Sequence, residues 1–160
     1  MALPTTHRDV IAWREAMVLV AEVYRDTARF PRHEVLGLAA QIRQAALSVP
    51  SHLAEGATRE TVSELVRFLG MSCGSIAALD TRLEIAVRLG YLAPDAGAVT
   101  RARRLGALVS TLRETFQKEA IEERSFSSVA RVTSKQRGNY ARSSRRQSPG
   151  TGHRSRSVTS

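Results

Sequence analysis

Four histidines, one cysteine and a set of closely spaced arginines are the residues of this 160-residue chain best suited to chemistry. A di-iron centre in a helical bundle needs Glu-x-x-His pairs on facing helices. No glutamate here is followed three positions later by histidine, and His7, His33, His52 and His153 fall in different segments. Cys73 is a lone thiol, which can form neither an intrachain disulfide nor a thiolate zinc site. Its small neighbours Gly70, Gly74, Ser75, Ala77 and Ala78 suit a small buried hydrophobe. No Walker A loop, nucleophile elbow or H-E-x-x-H helix occurs. The pattern predicts a protein with no catalytic residue, metal or cofactor, and the lone cysteine makes a reducing, cytoplasmic setting the expectation.

The arginines point elsewhere. Arg101, Arg103 and Arg104 flank an apolar stripe of Ala98, Ala102 and Leu105, so they are expected to face solvent. Arg82 and Arg88 lie on the preceding segment, and antiparallel pairing would bring Arg88 toward Arg101. Such a patch could hold phosphates without reading bases. Through Arg124 the chain has 16 Lys+Arg against 15 Asp+Glu; from Ser125 on it has 8 and no acid. Those eight are Arg131, Lys135, Arg137, Arg142, Arg145, Arg146, Arg154 and Arg156. The high pI therefore describes the tail, and a polyanion, RNA or DNA, is the partner such an arm suits, without base specificity.

Four segments must position these groups. Stripes spaced three and four residues apart run through Val10, Trp13, Met17, Val20 and Tyr24, and through Val35, Ala39, Ile42, Ala46, Val49 and Leu53. Two more run through Leu65, Leu69, Ser72, Ile76, Leu79, Leu83 and Ala86, and through Ala98, Ala102, Leu105, Val109, Leu112 and Phe116. The helices they predict span about 7–27, 34–55, 60–89 and 95–124. Phe30-Pro31 ends the first, Pro50 is expected to kink the second, and Gly56 and Gly90 suit helix stops. Thr58 or Thr61 could cap the third. The small residues at 70–78 invite a close helix approach.

Short links make an antiparallel up-down-up-down four-helix bundle the predicted all-α fold over 1–124. The serine- and arginine-rich composition of 125–160 predicts a disordered basic tail. No unbroken apolar run reaches the roughly 18 residues of a membrane span, and Met1–Arg8 lacks a signal-peptide core. Ile11, Val18, Leu19 and Leu36 lie off the stripes and are candidates for a subunit interface.

The run Phe30-Pro31-Arg32-His33-Glu34-Val35-Leu36-Gly37-Leu38, followed by Gln41 to Gly56, carries a resemblance. Arg67-Phe68-Leu69, Gly74-Ser75 and Leu83-Glu84-Ile85-Ala86 through Leu92 continue it, with Val10 to Trp13 and Val23-Tyr24 at the start. Over about residues 7–120 the chain resembles the bacterial four-helix bundle proteins encoded in intervening sequences of large-subunit ribosomal RNA genes. That family is in turn similar to the accessory variability proteins of diversity-generating retroelements. The resemblance implies an antiparallel bundle assembling as a homo-oligomeric ring, commonly a pentamer, with no catalytic activity. For the retroelement relatives it implies a reverse transcriptase and its template RNA as partners. His52 stands where the family usually has Asn, and Gln44 where it has Arg, which lowers the positive charge of the second helix. Glu55, within Ala54-Glu55-Gly56, is the family's most recognisable acid, and its expected role is to pair with an arginine of another helix or subunit. A non-catalytic RNA-binding scaffold is thus the predicted function, with a protein-binding adaptor as the alternative.

Overall fold

The computed structural model describes residues 10–145, with side chains through Ser125 and at Ser127. Among them are four α-helices and no strand: α1 (Ile11–Thr27), α2 (Leu38–Ala57), α3 (Val62–Arg88) and α4 (Gly97–Arg145), plus one 3-10 turn at Arg32–Glu34. Neighbouring helices run antiparallel. Gly56 of α2 faces Leu65 and Phe68 of α3, Gly106 of α4 faces Ile76 of α3, and Asp26 near the end of α1 meets Ala98 at the start of α4.

Local chemistry explains each boundary. Thr61 opens α3 with its hydroxyl, which accepts from the Glu64 N–H at 3.3 Å and donates to the Glu64 carboxylate at 3.0 Å. The cap satisfies one backbone donor that a helix start leaves free, and the Glu64 carboxylate holds the capping hydroxyl in place. Glu34 does the same for α2, its Oε2 taking the Leu38 N–H at 2.9 Å. At the end of α3, Gly90 adopts φ 75°, and the N–H of Tyr91 reaches back to the Ala86 carbonyl at 2.9 Å. That six-residue closure needs a left-handed residue, which glycine supplies without a Cβ penalty.

Burial follows the predicted stripes closely in α3, where every stripe residue is buried, and in α2 from Ala39 onward. α2 runs through buried Pro50, and buried Ser72 of α3 donates to the Val49 carbonyl beside it at 3.4 Å. In α4 the stripe is buried except at half-buried Leu112. In α1 the buried face is rotated by one residue: Ala12, Ala16, Leu19, Val23 and Thr27 point inward, while Met17 and Tyr24 are exposed. Leu19, an expected interface candidate, is fully buried. Ile11, Val18 and Leu36 remain exposed.

Ala120 is the last buried residue among the described side chains. One compact unit closes at Ala120, and the described residues from Ile121 on belong to a second. The helical backbone of α4 nevertheless continues past Arg124 to Arg145. Residues 146–160, the remainder of the expected disordered tail, lie outside the described residues. α3 is long and apolar enough, by length and composition, to cross a membrane, although no unbroken apolar run shows it. Its Leu, Ile and Ala stripe is occupied in the bundle core.

Gly56 is not a helix stop: it lies inside α2, buried, because a Cβ there would stand 2.9 Å from the Phe68 Cβ. Gly74, in contrast, is exposed and has nothing within 4 Å of a Cβ position, so the close approach expected there is not made within this chain. The two glycines therefore predict opposite signs. Gly74→Ala should stabilise by about 0.5–1 kcal/mol through helix propensity. Gly56→Ala should destabilise by about 1–2 kcal/mol, because overpacking outweighs that gain. Urea unfolding of both variants checks this, and equal shifts would refute the close-packing role of Gly56.

Candidate nucleic-acid interface

Arg101, Arg103 and Arg104 are close in sequence, but a helix turns 100° per residue, so they point to different neighbours. Arg101 turns toward α1, where its Nη1 donates to Glu15 at 2.7 Å and its Nε to Glu22 at 2.8 Å, with Nη2 on the other Glu22 oxygen at 3.1 Å. Its side chain is 28% exposed and that of Glu22 only 15%, so the expectation that Arg101 faces solvent is corrected. The Glu22 hydrogen bonds, followed by the nearby charges of both glutamates, raise the guanidinium pKa against the opposing effect of burial. A raised pKa means that the stability this proton brings persists through neutral pH. It is lost only as pH climbs through the group's strongly alkaline titration.

Arg103 turns the other way, toward α3. Its Nε lies 3.5 Å from Asp80 Oδ1 and its Nη2 3.5 Å from Glu84. Asp80 Oδ1 is shielded from solvent and accepts no hydrogen bond. Glu84 also receives Arg88 Nε at 3.0 Å, one turn along the same helix. Arg88 therefore joins Arg103 through a shared carboxylate and does not join Arg101. Arg82 and Arg104 have no carboxylate partner among the described residues. Arg82 lines a groove of about 510 Å³ between α2 and α3, with Gln41, Gln44, Ser48, His52 and Ser75. There the Ser75 hydroxyl and His52 Nδ1 share a hydrogen bond of 3.2 Å.

Of the tail residues, Arg131, Lys135, Arg137, Arg142 and Arg145 lie on the α4 backbone, with side chains outside those described. Arg146, Arg154 and Arg156 lie outside the described residues altogether. Glu55 is exposed and forms no ion pair among the described residues. No group of three His, Cys, Asp or Glu that could hold a metal occurs among them either. Arg25, Arg29 and Arg32 were not singled out by sequence spacing, yet all three are exposed at the α1–α2 connection. Their signal was three arginines in eight residues, masked by Asp26 and Glu34 between and beside them.

These features define an all-α, antiparallel four-helix bundle whose seams are tied by arginine–carboxylate pairs. The chain belongs to the 23S rRNA-intervening sequence protein family, whose profile matches residues 8–104, from just before α1 into the first turns of α4. A comparison with curated proteins finds no match.

The paired arginines differ in depth, and depth sets what each contributes. Arg101→Met should cost about 1–2 kcal/mol, since it strands the half-buried Glu22 carboxylate and forfeits charge-assisted bonds. Arg103→Met should cost less, about 0.5 kcal/mol, because both of its pairs are long at 3.5 Å and its side chain is mostly exposed, although Asp80 Oδ1 itself is shielded. Thermal melts of the two variants test the order; a larger loss at Arg103 would overturn it.

Proposed function

We propose that this protein is a non-catalytic, self-associating four-helix bundle that binds structured RNA without base specificity. The contacts would come from arginines left without carboxylate partners and from the basic segment after Arg124. One observation carries the reading, the uneven disposition of charge. In the bundle most of the arginines nominated from sequence are neutralised by Glu15, Glu22, Asp80 and Glu84. Arg82 and Arg104 have no carboxylate partner among the described residues, and the sequence from Ser125 on holds eight basic residues and no acid. Cations of that kind displace condensed counterions from a phosphate backbone, which favours binding and makes it salt-dependent. The family description, with its 23S rRNA intervening sequences, is consistent with RNA as the polyanion.

Self-association is supported by large apolar side chains left at the surface, among them Leu36 at 93% and Ile11 at 68% exposure. A ring, pentameric as the resemblance implies, would repeat every basic patch once per subunit and convert weak contacts into avidity.

The test compares the full chain with a full-length variant in which the eight basic residues of 125–160 become Gln. Both bind one structured RNA across a salt series, with light-scattering mass on each sample. The parent is expected to give a discrete multiple of the 17.5 kDa chain. The variant should keep that mass and lose roughly 0.7–0.9 log units of salt slope per phosphate contact removed. A parent that fails to bind at low salt overturns the RNA reading. In that case a protein-binding adaptor role, for instance beside a reverse transcriptase, takes its place.

A further inference from the structure

We infer that the corner between α1 and α2 is a phosphate-backbone contact site, formed by Arg25, Arg29 and Arg32. The inference rests on the RNA-binding reading above and gives it a place on the bundle. Three arginines fall within eight residues, and all are exposed. Arg25 sits in the last turn of α1, and Arg29 lies in the turn that follows it, its N–H on the Asp26 carbonyl at 3.4 Å. Arg32 opens the 3-10 turn that follows.

Two carboxylates, Asp26 and Glu34, could neutralise this corner, and both are engaged elsewhere. Asp26 Oδ2 takes the backbone N–H of Ala98 at 3.2 Å, at the start of α4. Glu34 Oε2 takes the Leu38 N–H at 2.9 Å, at the start of α2. Each acid thus faces the positive end of a helix, whose partial charge is about half a unit. No guanidinium of the three forms an ion pair among the described residues. Arg25 does sit in the last turn of α1, where carbonyls offset it, but again by only about half a charge.

The corner is also held in place. Buried Phe30 packs on Tyr91 of the α3–α4 connection, ring centroids 5.4 Å apart. Arg43 of α2 donates to Thr27 at 2.8 Å and lies 4.8 Å over the ring of half-exposed Tyr24, beside Arg25. Three guanidinium groups carried on a held backbone and flanked by an aromatic ring suit a nucleic-acid strand better than a single small anion, because phosphates recur along a strand and bases stack on such rings.

The experiment uses the full chain carrying Arg25→Gln, Arg29→Gln and Arg32→Gln together, and a second variant with Lys at the same three positions. Binding to the same structured RNA is measured over a salt series, with thermal melting as the control for folding. The Gln variant is expected to lose about 2–3 log units of salt slope and the Lys variant to keep it, since phosphates read charge here and not fork geometry. A Gln variant that melts like the parent and keeps its full slope, beside a parent that binds, overturns the corner alone. A parent that binds nothing at low salt overturns both readings.

Discussion

Closing a four-helix bundle requires the last helix to find the first, and here that contact is electrostatic as much as apolar. Arg101 is clamped by two glutamates of α1, and Asp26 fixes the first turn of α4 by accepting from Ala98. Beside this tie the buried residues of both helices include small ones: Ala98 and Ala102 on α4, Ala12 and Ala16 on α1. Small side chains let backbones approach but bury little apolar area each. A charge-assisted clamp at 2.7–2.8 Å therefore sets the rotation and register of α4 more sharply than the alanines do. Once α4 is rotated so that Arg101 faces α1, Arg103 must face α3, and the α3–α4 seam of Asp80, Glu84 and Arg88 follows.

This rotation explains why the fold was legible in the sequence and the site was not. Stripes of large apolar residues fixed the faces of α2, α3 and α4 because burial there selects Leu, Ile and Val at three- and four-residue steps. α1 misled by one position. Its large residues Trp13, Met17 and Tyr24 form one stripe, while the adjacent stripe of Ala12, Ala16, Leu19 and Val23 forms the core. A criterion weighted by size picks the wrong neighbour when the true interface needs alanine for close approach. Charge clusters mislead for a related reason. Residues 101, 103 and 104 are adjacent along the chain, yet Arg101 pairs with residues 79 and 86 positions away. Such separations follow from tertiary packing and leave no local spacing to read.

The same argument identifies which charges stay available. A carboxylate that caps a helix or clamps an arginine keeps its charge, but the oxygen so engaged is not free to form a close ion pair with the arginines beside it. Through Arg124 that total is nearly balanced, 16 against 15, so a global field cannot draw a polyanion to the bundle. Attraction has to be local, built where carboxylates are drawn away from the arginines beside them. The α1–α2 corner meets that condition, and its two acids are drawn away by helix termini belonging to α2 and α4. In the bundle Asp26 and Glu34 each direct one oxygen at a helix start, and Arg25, Arg29 and Arg32 form no ion pair with them among the described residues.

Under the proposed self-association, local attraction would become useful binding only through repetition. One corner of three guanidinium groups, within a screening length of roughly 8–10 Å, gives weak, salt-sensitive contact. Repetition around an assembly multiplies it, provided that the basic corners lie on the accessible side and the apolar residues are the ones covered. Exposed Leu36, at the end of the same connection, sits within a few residues of Arg32. An interface that covered Leu36 would lie beside the corner, and the proposed assembly would then bring the arginines of one subunit close to the junction with the next. In that arrangement assembly and RNA binding are coupled: added salt weakens the phosphate contacts while leaving the apolar junction intact, and a change at Leu36 weakens both.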